Sequence, residues 1–320
     1  MAALFFLLGV LALAACGETR PSATTLPPAL PSGAVPATTA AQAQSGCVNG
    51  GSVTVPEGAK LAARVNGKSI ALEVYERQAA QSEAALIQQG IDPNSAEGKE
   101  AIKGLRAQVL AQLIDDALVE QEALAQNINP SEQEINNRVQ LVINDAGGKA
   151  KFDEYLTKNQ LTLADLCQQI RANVFGEAMM ERLTRDMPTQ VEQVHVAHIL
   201  FAKKEDADAA LVKLKAGADF GALAKQVSQD EATRDNGGDL GWFPREVMPR
   251  EFEQAAFALK PGEISGVVST QLGLHILKLL ERDAKRALTP DLIQSQRLAA
   301  FNTWLDGVRS KAKIERFVSE

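Results

Sequence analysis

The chain has few residues of the kinds that mark several protein classes. Its three cysteines are too few for a disulfide framework. It has 33 basic and 40 acidic residues, so the net charge of −7 argues against nucleic acid as a partner. Its N-terminal apolar run, residues 4–15, covers about twelve residues and is too short to cross a bilayer. The chain must therefore be classified from its local motifs.

The first residues have the features of an export signal. The apolar run fits the central part of a signal peptide and ends in Leu13-Ala-Ala-Cys16-Gly17. That ending resembles a bacterial lipobox, although residues 1–3 carry no positive charge. The resemblance implies a signal peptide over residues 1–16, lipidation of Cys16, and an extracytoplasmic protein anchored to a bacterial membrane. A plain signal peptide cleaved after Ala14 is the alternative.

A stretch of low complexity follows the signal. Residues 17–58 are rich in Pro, Ala, Thr, Ser and Gly and almost uncharged, which predicts a flexible tether. Cys47 lies in this stretch and Cys167 lies on a predicted helix. The sequence leaves open whether these two cysteines pair. Without signal and tether, about 260 residues are left, enough for two small domains.

Residues 59–187 have the pattern of a helical domain. A short strand and turn around Asn66-Gly67 come first, and Ser131-x-x-Glu134 predicts a capping box further on. The apolar periodicity predicts helices over residues 72–89, 99–126, 131–145, 152–158 and 163–183.

The three histidines of the chain all lie in residues 194–281. The residue order there predicts a small mixed domain with the element order β-α-α-β-α-β-β. Strands are predicted over 194–201, after Gly237-Gly238, and over 264–268 and 274–279, and helices over 206–216, 220–227 and 250–259.

Five motifs of this segment, in their order and spacing, resemble a parvulin. They include His198-Ile-Leu, Val227-Ser-Gln-Asp230 and Gly273-Leu-His275-Ile-Leu. The resemblance implies a peptidyl-prolyl cis-trans isomerase domain over residues 190–285, with a four-stranded sheet plus helices and no metal or cofactor. It also implies residue roles: His198, Asp230, His275 and Thr270 would be catalytic, and Leu240, Met248 and Phe252 would hold the proline ring.

These residues also have ordinary structural interpretations. A lone histidine in an apolar strand is more often a buried core residue than a catalytic group, and Met248 and Phe252 would be common core residues outside this motif. His195 matches no family role and is interpreted as structural or as a surface residue. His195-x-x-His198 has the composition of a metal pair, but residues three apart on a strand point to opposite faces.

The regions around the parvulin segment resemble those of bacterial SurA-like and PrsA-like foldases. Val65-Asn66-Gly67 before a long helix looks like the start of their N-terminal chaperone domain. Thr289-Pro290 opens a predicted helix to about residue 313. Its apolar stripe consists of Leu298, Phe301, Trp304, Leu305 and Val308. The resemblance implies an α+β protein in which residues 288–320 return to the helical domain and the isomerase domain is an insertion.

The predicted function is a membrane-anchored foldase that isomerises X-Pro bonds in unfolded exported polypeptides. A different class is a holdase chaperone whose parvulin unit binds clients without isomerising them. A solute-binding lipoprotein would need two α/β lobes, which the helical half does not supply. The loop at residues 202–208 has two lysines, three acidic residues and no arginine, so unphosphorylated X-Pro segments are the expected substrates.

Overall fold

The structure is a computed structural model, and it describes residue 47 and residues 55–158 and 161–318. The predicted signal peptide, its Cys16 and most of the predicted tether lie outside these residues.

The first half of the described chain is helical, and its helices begin and end close to the predicted bounds. They are α1 (Leu72–Gln88), α2 (Ala96–Ala125), α3 (Glu132–Asp145), α4 (Lys149–Lys158) and α5 (Leu163–Thr184). The capping box predicted at Ser131 is only half formed, because Ser131 Oγ accepts from the Glu134 amide but no reciprocal bond accompanies it. A complete box occurs instead at the start of α5, between Thr162 and Asp165.

A small antiparallel sheet lies beside these helices. Its strands are β1 (Leu61–Val65), β2 (Lys68–Ala71) and β7 (Ile314–Arg316), in the order β2-β1-β7. The β1–β2 turn uses Asn66 and Gly67, both with positive φ (49° and 89°), which is the backbone that tight hairpins require. Strand β7 was not predicted, because three residues are too few for a periodic pattern.

The C-terminal helix α10 (Pro290–Lys311) covers the main helical core. Leu305 is buried in the core formed by α1, α2, α5 and the small sheet, and Phe301 and Trp304 pack against that core. Arg309 also binds Asp115 of α2 through two contacts of 2.6 Å. Leu298 is 45% exposed and does not belong to this core, so its prediction as part of the packed stripe was wrong.

A second, smaller core is formed by α3, α4 and α5. It contains Ile135, Val139, Phe152, Leu166 and the disulfide between Cys47 and Cys167. The Cys47 amide also donates to Asn136 Oδ1 at 2.6 Å. Position 47, which the tether prediction included, is therefore fixed to the helical domain.

The inserted segment forms a four-stranded antiparallel sheet in the order β4-β3-β6-β5. The strands are β3 (Gln190–Phe201), β4 (Asp239–Pro244), β5 (Val268–Thr270) and β6 (Gly273–Ala287), and the helices are α6 (Lys204–Lys215), α7 (Phe220–Val227), α8 (Glu231–Arg234) and α9 (Arg250–Ala258). Alternate β3 residues enter two cores: Ala197, Ile199 and Phe201 pack with α6 and α7, whereas Val194 and Val196 pack with α9.

Three details of this segment differ from the sequence prediction. The strand expected over 264–268 begins only at Val268, and Ile264 forms an isolated bridge to Lys278. Helix α8 was missed, because four residues show no periodicity. Strands β3 and β6 are longer than expected and stay paired from Phe201–Leu274 to Gln190–Ala287. The β3–β6 pair therefore extends to the two short chain segments that connect this domain to α5 and to α10.

Candidate active site

His198 and His275 lie on neighbouring strands and face each other. His198 on β3 pairs with Leu277 of β6, and His275 is two residues from Leu277, so the two histidines are diagonal neighbours on the same sheet face. Their rings stack with centroids 5.4 Å apart and their Nδ1 atoms 3.2 Å apart. Both residues are buried, with 6% and 3% of their surface exposed, so contacts with protein atoms determine where their protons lie.

Asp230 binds the far side of His198. As the residue that caps α8, it accepts the Ala232 amide through Oδ1 at 3.2 Å. Its other oxygen, Oδ2, lies 2.6 Å from His198 Nε2 and also accepts the Thr233 hydroxyl. Burial raises the pKa of the Asp230 carboxyl, but the hydrogen bonds from Thr233, His198 and the Ala232 amide outweigh burial and lower that pKa below its usual range. Asp230 is therefore ionised at neutral pH.

Thr270 binds the far side of His275. It lies in the tight turn between β5 and β6, where its Oγ1 accepts the Leu272 amide at 3.1 Å. The same hydroxyl lies 2.9 Å from His275 Nε2. Burial, together with the nearby His198, lowers the pKa of His275 to about 4. His275 is therefore neutral at pH 7.

One arrangement of protons gives each contact between neighbouring side chains of Asp230, His198, His275 and Thr270 a donor and an acceptor. The ionised Asp230 accepts from His198 Nε2–H, and in the tautomer that carries only this ring proton, His198 Nδ1 is an acceptor. His275 then donates its Nδ1–H to His198 Nδ1, and its free Nε2 accepts the Thr270 hydroxyl. The four side chains form a continuous polar chain whose ring orientations are fixed at both ends.

An apolar wall adjoins this polar chain. The ring of Phe252 on α9 is 3% exposed and stands edge-on to His275, with centroids 5.3 Å apart, and to His198, at 6.0 Å. Leu240 and Met248 are partly buried and pack in the same core cluster as Phe252. The structure thus brings together the residues for which the sequence predicted catalytic and proline-binding roles; the roles themselves stay predictions.

Comparison with known proteins identifies the family of this chain. A model of the PPIC-type PPIase domain matches residues 198–281, and a model of the SurA-like N-terminal domain matches residues 43–180. The foldase protein PrsA of Caldanaerobacter subterraneus subsp. tengcongensis is 35% identical over 225 residues, which cover 68% of this chain and 72% of that protein. The chain belongs to the PrsA foldase family.

Other PrsA proteins are also similar. The foldase protein PrsA of Geobacillus sp. (strain WCH70) is 29% identical over 227 residues, covering 68% of this chain and 79% of that protein. PrsA from Bacillus anthracis, whose crystal structure is known, has 29% sequence identity to this chain. The matched region covers 61% of this chain and 88% of that chain, with a TM-score of 0.42. With its PPIC-type domain, this member of the PrsA family is a peptidyl-prolyl cis-trans isomerase and a foldase.

His195 takes no part in the polar chain of this PrsA-family protein. Its Nε2 lies 2.7 Å from Asp239 Oδ1, and its ring packs on Trp242 with centroids 5.4 Å apart. Its hydrogen-bond partner Asp239 lies on β4 and outside the polar chain, and its interpretation as a structural or surface residue stays a prediction. Within residues 47, 55–158 and 161–318, His, Cys, Asp and Glu side chains form no group that could hold a metal ion.

Two residues of the site escaped the sequence prediction. Gly238 O accepts the His198 amide at 2.8 Å, and a Cβ on Gly238 would lie 2.0 Å from His198 O. The glycine pair was recognised only as a turn signal. Thr233 reaches both Asp230 and His198, and its position three residues after a helix-capping aspartate was the available signal.

The predicted membrane anchor lies outside the described residues, since Cys16 is not among them. In the described part of this foldase, no helix combines the length and the apolar character needed to cross a bilayer.

Proposed function

We propose that His198, Asp230, His275 and Thr270 form the catalytic centre of the isomerase and that Leu240, Met248 and Phe252 hold the proline ring of the substrate. One observation carries the proposal: in the hydrogen-bonded chain from Thr270 to Asp230, both histidine rings lie against the buried ring of Phe252. A polar chain with fixed protons, next to an apolar wall, is the kind of surface that prolyl isomerisation needs.

The chemistry explains why no covalent partner is required. The X-Pro amide resists rotation by about 18–20 kcal/mol because its resonance must be broken. The twisted transition state has lost that resonance and is less polar at nitrogen than either planar form. An apolar wall therefore favours the twisted form, and a catalyst gains rate only from interactions that are stronger in the transition state. Fixed histidines orient the carbonyl side without having to rearrange during rotation.

The pocket variants test this proposal most directly. Met248→Ala and Phe252→Ala should each lower kcat/KM at least tenfold, which is about 1.4 kcal/mol of barrier, in a protease-coupled assay with an X-Pro peptide. Circular dichroism must show that each variant is folded, because truncation of a core residue can itself cost about 2–5 kcal/mol. A folded variant with wild-type activity would remove that residue from the site.

The substrate we propose is an unphosphorylated X-Pro segment of an unfolded exported polypeptide. The segment after β3, which the sequence predicted as a loop and which is mostly the first turns of α6, supports this. Lys204 Nζ binds Asp208 Oδ2 at 2.6 Å, and three acidic residues follow the lysine pair. A phosphate group on the substrate would meet little net positive charge there. Matched peptides with Ser-Pro, phosphoserine-Pro and Leu-Pro should show no preference for phosphoserine; a preference of tenfold or more would contradict this substrate class.

We also propose that the helical domain binds unfolded client segments. A surface cavity of about 290 Å³ supports this role. Its lining combines apolar side chains with basic ones: Tyr75, Ile102, Ala107, Leu110 and Val318, and Lys99, Lys103 and Arg106. Ile102→Glu should weaken suppression of aggregation of an unfolded client while the rate with a short peptide stays at the wild-type value. Equal suppression by both proteins would exclude this cavity.

The domain organisation and cellular placement are proposed together. Residues 59–187 and 288–320 would form the chaperone domain and residues 190–285 the inserted isomerase. Because Cys47 is bonded to Cys167, the tether from a lipidated Cys16 would cover residues 17–46. The disulfide supports an oxidising, extracytoplasmic location, because such bonds persist mainly outside the cytoplasm. Metabolic labelling with a fatty-acid analogue should label the wild-type protein and not the Cys16→Ser variant. Equal labelling of both would contradict lipidation of Cys16.

A further inference from the structure

Thr233 lies within the polar cluster, and none of the proposed roles uses it. Its Oγ1 donates to Asp230 Oδ2 at 2.5 Å and lies 3.2 Å from His198 Nε2. Asp230 Oδ2 thus receives two donors, the Thr233 hydroxyl and the His198 ring, while Oδ1 receives the Ala232 amide. Both oxygens of the carboxylate are held.

The backbone of Thr233 is tied to the same histidine by a second route. Its carbonyl accepts the Gly238 amide at 2.9 Å, and the Gly238 carbonyl accepts the His198 amide at 2.8 Å. The side chain of Thr233 therefore meets the His198 ring from a position that is fixed relative to the His198 main chain. A water molecule in place of the hydroxyl would have no such constraint.

We propose that Thr233 is a positioning residue that holds the Asp230 carboxylate in the orientation in which it binds His198 Nε2–H. The proposal rests on the proposed catalytic role of the cluster. Without the hydroxyl, Oδ2 keeps only His198 as a protein donor, and the Asp230 side chain, which is 22% exposed, can turn toward solvent. His198 then loses the acceptor that keeps its proton on Nε2, and the order of donors along His198, His275 and Thr270 is no longer fixed.

The same hydrogen bond affects the ionisation of the carboxylate. After burial, which raises the pKa of Asp230, the Thr233 hydrogen bond is the largest influence and lowers that pKa. The titratable groups that face Asp230 are His198 and His275, and Arg234 on the same turn pairs with Asp235. Removal of the hydroxyl should therefore raise the pKa of Asp230 and move the acid side of the activity profile to higher pH.

The test compares Thr233→Val, which keeps the branched shape and removes the hydroxyl, with Thr233→Ser, which keeps the hydroxyl. kcat/KM is measured from pH 4 to pH 8 on the full-length protein with an unphosphorylated X-Pro peptide. Thr233→Val should lose roughly fivefold or more at pH 5 and less at pH 8, whereas Thr233→Ser should follow the wild type within about twofold. Histidine ring ¹⁵N shifts should show that only the valine variant loses the Nε2–H form of His198.

Two further variants separate the possible failures. Thr184→Val removes a buried hydroxyl that binds Met180 O in the helical domain, and its pH profile should match the wild type. Asp230→Asn tests the cluster itself. If Asp230→Asn loses activity but the profile of Thr233→Val superimposes on the wild type, the role of Thr233 is overturned and the site stands. If Asp230→Asn is fully active, the proposed site is wrong. Should Thr233→Val be unfolded by circular dichroism, Thr233→Ala is measured in its place against the same criteria.

Discussion

The disulfide between Cys47 and Cys167 should contribute strongly to the stability of the helical domain. It links residues 120 apart in sequence, and for a loop of that length the loss of chain entropy in the unfolded state corresponds to about 5 kcal/mol. Measured values for natural bridges are commonly about 2–4 kcal/mol. The bridge lies in the smaller of the two helical cores, where Cys167 is 2% exposed. Loss of the disulfide should destabilise α3, α4 and α5 first.

Thermal unfolding of a protein that begins at Gly46 measures this contribution. That protein contains only Cys47 and Cys167, so thiol titration before and after reduction reports the state of one bridge. The oxidised form should unfold at least about 6 °C higher than the Cys47→Ser/Cys167→Ser variant in the transition of the helical domain. Isomerase activity toward a short peptide should be the same in both, because the bridge lies outside the isomerase domain.

Hydrogen exchange locates the effect. Amides of α3, α4 and α5 should lose protection on reduction, while those of β3 and β6 should not. If the oxidised protein has no free thiols and reduction leaves both the transition and the exchange pattern unchanged, the reasoning that the bridge stabilises this core is refuted.

Three further outcomes follow from the structure. Gly238→Ala should destabilise the isomerase domain by about 2–5 kcal/mol in denaturant unfolding, because the backbone at Gly238 is left-handed and the added Cβ would clash with His198 O. The control is Gly266→Ala, which should have little effect because a Cβ there meets nothing within 4 Å. Deletion of the residues after Leu288 should lower the melting temperature of the helical domain and leave peptide isomerisation intact. The reason is that each large apolar side chain that α10 buries in the helical core stabilises it by about 1.5–3 kcal/mol. Unfolding of the isomerase domain alone would contradict the proposal that this domain is an insertion. Because the pKa of His275 is lowered to about 4 in the folded protein, the unfolded chain binds the extra proton first. The stability of the isomerase domain should therefore fall as pH drops from about 6.5 to about 4, and a His275→Gln variant should show less of this fall.

Local patterns in the sequence were sufficient to predict most of the helices and the type of each domain. Helix α2 has a long apolar face, and Thr289-Pro290 fixes the start of α10, so their positions follow from local rules. The parvulin motifs also pointed to His198 and His275, which the fold places side by side, because each lies within a short, distinctive strand sequence.

Features that depend on register could not be predicted in this way. Helix α8 and β7 are too short for periodicity, and the extent of β3 and β6 is set by their pairing with each other. The exposure of Leu298 depends on where α10 crosses α2 and α5, which its own apolar stripe does not specify.

The sequence by itself determined the chemistry available to this protein: which residues can ionise, which can donate a proton, and which must be buried. The tertiary structure decided which of them meet. Only the folded chain brings Asp230 to His198, stacks His198 on His275, and joins Cys47 to Cys167. The physical reason is that such contacts depend on strand register and helix packing between residues far apart in sequence, and a local pattern encodes neither distance nor direction.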